Sequence, residues 1–196
     1  MKLTGKKLIL LLLYAPVEGK RVNVPIAGRT RLMKMGFLFN KEVLDDFQKD
    51  STFDESRLPE YFGWKYGPFS SGFLNDLEFL VNQSYVHRIE NERMLSDLVT
   101  SQEELRDWEY DFWVEDMGEF QSKQYNEEVF ELTPEKGVPE AQKLWDMLSE
   151  NQKMYLHEFK EVLNRVPLSR ILEYVYKKYR KDGYVDQSLI RERYLS

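Results

Sequence analysis

The chain has 196 residues, 42% of them hydrophobic and 32% charged, with a formal net charge of −6, the profile of a globular protein that can bury a sizeable core. It contains no cysteine, which excludes disulfides, thiolate metal sites and a cysteine nucleophile. The charge is unevenly placed: residues 1–41 hold nine Lys or Arg against the single acid Glu18, so a local electropositive face is expected on an otherwise acidic body.

Taken in chain order, Thr4 can cap a helix over residues 5–15, ended by Pro16. Its apolar run, residues 8–15, has the look of a signal peptide's core but lacks a small-residue cleavage site. It is also far too short to span a bilayer. A buried first helix and a cytoplasmic location are the expectation. Residues 21–26 read as a short extended piece leading to Gly28. From Arg29 to about Phe47, Leu32, Met35, Phe39 and Val43 recur at helical spacing. Residues 50–56 read as a polar loop. The aromatic stretch 61–66 predicts a short strand closed by a Gly67-Pro68 turn. Ser70 or Ser71 then caps a helix that buries Phe73, Leu77, Leu80 and Val81, and residues 84–89 read as a strand.

Residues 91–124 interrupt this pattern. Ser101-Gln102-Glu103-Glu104 is a capping-box signature for an acidic helix to about Phe120, whose aromatic residues cover more than one face. Residues 127–132 alternate as a strand, ending in a turn at Thr133-Pro134. Three helices follow, opened by Pro139, Ser149 and Pro167. The expected organisation is a domain over 1–137, carrying the acidic helical insertion at about 91–124, and a C-terminal helical region over 138–196.

The closing pair of strands, SYVHRIENE and EEVFELTPEKG, resembles the wing of winged helix-turn-helix regulators. The segments IAGRTRLMKMGFLF, FGWKYGPFSSGFLNDLEFLVNQSYV and ILEYVYKKY resemble the YwgA-type family of uncharacterised prokaryotic proteins, and are similar to the Panacea domain of SocA-like antitoxins. The residues that carry this likeness are Gly28, Arg29, Thr30, Leu32, Lys34, Tyr66, Gly67, Pro68, Leu77 and Leu80. The resemblance implies an α+β fold with a winged-helix-like core and a regulatory role, transcriptional or exerted through a toxin partner.

In that mapping, residues 70–83 take the place of the recognition helix, yet they contain no Lys or Arg, and Asp76 and Glu78 would repel phosphates. Cations cluster instead at Lys20, Arg21, Arg29, Arg31 and Lys34. With Thr30, and with Arg88 near the wing, they form the candidate DNA-binding set, suited to salt-dependent phosphate contact. The alternative for Arg31 and Lys34 is a solvated surface or pairing with acids of the body. The expected function is a DNA-binding transcriptional regulator of winged-helix type that contacts phosphates through this basic N-terminal face. The alternative is an antitoxin- or adaptor-type interaction module with no DNA binding, which uses Trp108, Phe112 and Trp113 of the acidic insertion to hold a protein such as a toxin or protease. A homodimer is expected, and no membrane association. No catalytic constellation stands out: His157 and Glu161 lie one helical turn apart without a third ligand, and His87 stands alone. The expectation is no enzyme, no metal and no cofactor.

Overall fold

The computed structural model describes residues 2–17, 21–50, 53, 55–94 and 124–195. It is a mixed α+β structure with small sheets. Thr4 caps α1 (Gly5–Tyr14) by accepting a hydrogen bond from the Lys7 backbone N–H, and every residue from Leu8 to Tyr14 is buried. A helix that is apolar all round has to sit at the centre of its fold. Around α1 pack α4 (Ser71–Asn82), α5 (Gly137–Asp146), α6 (Glu150–Arg165) and β7 (Gln124–Leu132). Helix ends leave carbonyls without intrahelical partners. At the C-terminal end of α1, α6 supplies donors: Lys160 Nζ bonds the Leu13 carbonyl at 2.6 Å, and His157 Nδ1 lies 2.7 Å from the Pro16 carbonyl.

Strand β1 (Lys2–Thr4) pairs in parallel with β3 (Glu55–Arg57), within what sequence pattern reads as a polar loop. Glu-Ser-Arg offers no apolar alternation, so the strand rests on backbone pairing and on the Lys2–Glu55 ion pair at 2.9 Å. The helix expected over 29–47 is observed in three joined parts. These are α2 (Arg29–Leu38), a π-helical turn (Phe39–Val43) and α3 (Leu44–Phe47). The wider turn keeps both Phe39 and Phe47 in the core, in edge contact at 5.3 Å.

The main sheet has the order β2–β7–β6, all antiparallel, with β2 (Ile26–Ala27) and β6 (Val86–Met94) on either side of β7. Asn23 extends its pairing: its side chain donates to the Leu132 carbonyl at 3.0 Å and accepts from the Leu132 N–H at 2.7 Å. The strands continue to Met94 and from Gln124, so the ends of the 91–124 excursion belong to the hairpin. The expected acidic helix, with Trp108, Phe112 and Trp113, lies outside the described residues.

The 61–69 region corrects another expectation. It is a hairpin of β4 (Phe62–Trp64) and β5 (Gly67–Phe69), with register Phe62↔Phe69 and Trp64↔Gly67. The turn is therefore Lys65-Tyr66, and Gly67-Pro68 opens the second strand. Gly67 has φ +83°, and a Cβ there would lie 3.0 Å from the Tyr176 ring, so both the backbone angle and the close approach require glycine.

Helices α5 and α6 join the α1 core through Ala141, Leu144 and Leu156. A second apolar cluster forms where α7 (Leu168–Lys178) places Ile171, Leu172, Val175 and Tyr176 against Phe37, Leu38 and Tyr66. The tail past Tyr179, including α8 (Arg191–Leu195), returns to the hairpin, where the Leu189 N–H donates to the Lys65 carbonyl at 2.8 Å. No helix among the described residues is long and apolar enough to cross a membrane.

Candidate functional site

The sequence-predicted cations converge on the start of α2, but with internal partners. Gly28 precedes the helix with φ +90°, and its N–H donates to the Glu128 carbonyl at 2.8 Å, tying α2 to β7. Arg29 then grips the Glu128 carboxylate with two bonds, Nε at 3.0 Å and Nη2 at 2.7 Å. Arg88 donates to Glu78 at 3.0 Å and approaches Glu128 to 3.6 Å, while Arg29 lies 3.4 Å from Glu78. Two guanidinium groups and two carboxylates thus compensate one another in a largely desolvated cluster, in the bidentate geometry that suits arginine.

Arg31 points elsewhere. It donates to the carbonyls of Leu163 and Val166, supplying a cation to the C-terminal end of α6, where the helix dipole favours one. Arg21 is exposed, and its backbone forms a bridge with Val17. Lys20 lies outside the described residues. Thr30 and Lys34 stand on the same side of α2 as Arg29, facing the β4–β5 hairpin.

Lys34 is the least expected of these. Its side chain is only 2% exposed. The ammonium group donates to the Tyr66 carbonyl at 2.8 Å and the Pro68 carbonyl at 2.7 Å. No carboxylate pairs with it among the described residues, and burial alone lowers its pKa to about 7. Loss of water disfavours the charged form, and two neutral carbonyl dipoles only partly compensate. Lys160 behaves in the same way against the end of α1, with its pKa also lowered to about 7 by burial.

Between α2 and the hairpin lies a small cleft of about 50 Å³. Its α2 wall is Arg29, Thr30, Met33 and Lys34, and the hairpin closes it with Trp64, Tyr66 and Phe69. At the open rim of the cleft, Trp64 is 43% exposed, and Phe62 on the same face of the hairpin is 44% exposed. With Phe69 they form an aromatic triad with centroid separations of 5.6–6.5 Å. The outward face of α4 carries Ser71, Asn75, Asn82 and the exposed Phe79, with Lys6 Nζ 3.7 Å from the centre of the Phe79 ring. Trp108, Phe112 and Trp113 cannot be set against this surface, since they lie outside the described residues.

Sequence reasoning missed Glu78 and Glu128 as counterions, and the burial of Lys34. Glu128 had a signal: it falls in phase with Phe130 and Leu132, the buried face of β7, and a carboxylate on that face demands a cation. Lys34 is flanked by Leu32, Met33, Met35 and Gly36, which together mark a helix covered on most sides. Among the described residues no cluster of three or more His, Cys, Asp or Glu is placed to hold a metal ion. No family model, curated protein or solved structure matches the chain.

Proposed function

We propose that this protein is a protein-interaction module with a winged-helix-like core, of the antitoxin or adaptor kind. The observation that carries this reading is the pair of exposed aromatics Phe62 and Trp64 on the β4–β5 hairpin, each in ring contact with the half-buried Phe69. Clustered exposed aromatics are costly in water and are the residue type that anchors protein interfaces. The order α1, β2, α2, α4, β6, β7 and the sheet order β2–β7–β6 support the winged-helix part, as does the resemblance to the YwgA-type and Panacea-domain proteins. Fold likeness carries no function by itself.

The reading as a DNA-binding regulator draws on the same core and on the basic segment. Its support is weakened by the placement of that segment's charges, with Arg29 and Arg88 bonded to Glu78 and Glu128, Arg31 to α6, and Lys34 buried. Two experiments separate the readings. Fluorescence anisotropy against mixed genomic duplexes, titrated with salt, should show no binding at low salt. In affinity capture from the source cells, the wild-type chain should retain a stoichiometric partner that the Phe62→Ser/Trp64→Ser variant loses. Salt-sensitive duplex binding together with unchanged capture by the double variant overturns the proposal.

A further inference from the structure

The cleft between α2 and the β4–β5 hairpin combines an apolar wall with polar side chains, and at about 50 Å³ it has room for the head of a ligand whose body rests on its open, aromatic rim. Its wall is apolar on the side of Met33, Trp64, Phe69 and Leu74, and it borders a fully buried amine. Small-molecule sites combine such a wall with one or two convergent polar groups. Lys34 Nζ uses two hydrogens on the Tyr66 and Pro68 carbonyls, and a protonated amine has three. The third has no acceptor among the described residues, which leaves one donor of the protonated amine available. A buried cation without a counterion is costly and is retained at a cost in stability. Thr30 lines the same cleft and brings a hydroxyl to its α2 wall.

We propose that this cleft binds a small organic monoanion, a carboxylate with a compact flat apolar body, whose carboxylate accepts from Lys34 and Thr30 while its body lies against Trp64 and Phe69. The ligand supplies the charge that the fold omits. The titratable and charged groups on the elements packed against α2 are Asp76 and Glu78 of α4, Lys41 and Glu42 of the π-helical turn, Tyr66 beside β5, and Arg170, Glu173, Tyr174, Tyr176, Lys177 and Lys178 of α7, with Tyr179 just beyond it and Arg29 in the cleft itself. None pairs with Lys34, and burial is the sole cause of its lowered pKa. An arriving anion therefore changes the protonation of the lysine as well as its partner. With a pKa lowered to about 7, much of Lys34 is neutral above that pH, so carboxylate binding is accompanied by proton uptake. The cleft shares Trp64 and Phe69 with the aromatic face of the hairpin, so the test below reads ligand binding through Lys34 and Leu74, which take no part in the capture experiment.

The test is isothermal titration calorimetry of the full chain with benzoate and with its neutral isostere benzamide, at pH 7.5, in two buffers of different ionisation enthalpy. Benzoate is expected to bind at least ten-fold more tightly than benzamide, with net proton uptake. Lys34→Met, which keeps the volume of the side chain, should level the two affinities and abolish proton uptake. Leu74→Trp, which leaves the lysine in place and fills the cleft, should weaken benzoate at least ten-fold with the fold unchanged by circular dichroism. Equal affinity for the two probes, proton uptake near zero, or undiminished benzoate binding by Leu74→Trp overturns the proposal.

Discussion

The two buried lysines give the protein an unusual dependence of stability on pH. Lys34 and Lys160 have folded-state pKa values of about 7, against about 10.4 in an unfolded chain. Below pH 7 both states carry the proton and the full cost of burying it is present. Above pH 7 the folded state sheds the proton while the unfolded state keeps it, so stability rises with pH until the unfolded lysine also titrates. Between pH 7 and pH 9 the linkage relation gives about 2 kcal/mol for each lysine, and about 4–5 kcal/mol for both. Above pH 10 the trend reverses. Burial raises the pKa values of Tyr61, Tyr176 and Tyr179, so unfolded tyrosines ionise there before folded ones. Urea unfolding at pH 7, 8 and 9 measures this directly. The wild type should gain stability over the range at constant m-value, Lys160→Met should lose about half the gain, and Lys34→Met/Lys160→Met nearly all of it. A flat or falling wild-type profile, or an undiminished slope in the double variant, refutes the argument.

Other outcomes follow from single contacts. Arg29→Met should cost about 3 kcal/mol in urea unfolding, because it strands the mostly buried Glu128 carboxylate, and Arg29→Met/Glu128→Met should recover more than half of that. Asn23→Ala should cost about 2 kcal/mol by the same measurement, since both backbone groups of Leu132 lose their partner. Ser149→Ala removes the capping box at the start of α6, where Ser149 and Gln152 bond reciprocally, and should lower stability by about 1 kcal/mol. Phe62→Ser and Trp64→Ser, by contrast, should shift the thermal midpoint little, because the side chains are exposed.

The helices were legible wherever local chemistry marks a boundary. Thr4, Ser70 and Ser149 cap α1, α4 and α6 as their side chains predict, and the apolar spacing of 29–47 and 168–179 places the right residues inward. What was not legible depends on distant chain segments. Strand β3 exists because β1 lies beside it, and Glu-Ser-Arg carries no pattern of its own. Lys65-Tyr66 lacks the usual hairpin-turn residues, and the adjacent Gly67-Pro68 outweighed it as a turn signal. The cations at Arg29 and Arg88 read as a surface because their counterions, Glu78 and Glu128, arrive from α4 and β7. Net charge along a sequence reports supply, and only the fold decides which charges cancel.

The antiparallel register of β6 and β7 has a practical corollary for protein engineering. Met94 and Gln124 are cross-strand partners, so the chain leaves the hairpin and re-enters it about 5 Å apart, as opposed residues of an antiparallel pair do. That spacing matches a two-residue turn, so an Asn-Gly dipeptide placed between Met94 and Gln124 has the geometry to close the β6–β7 hairpin.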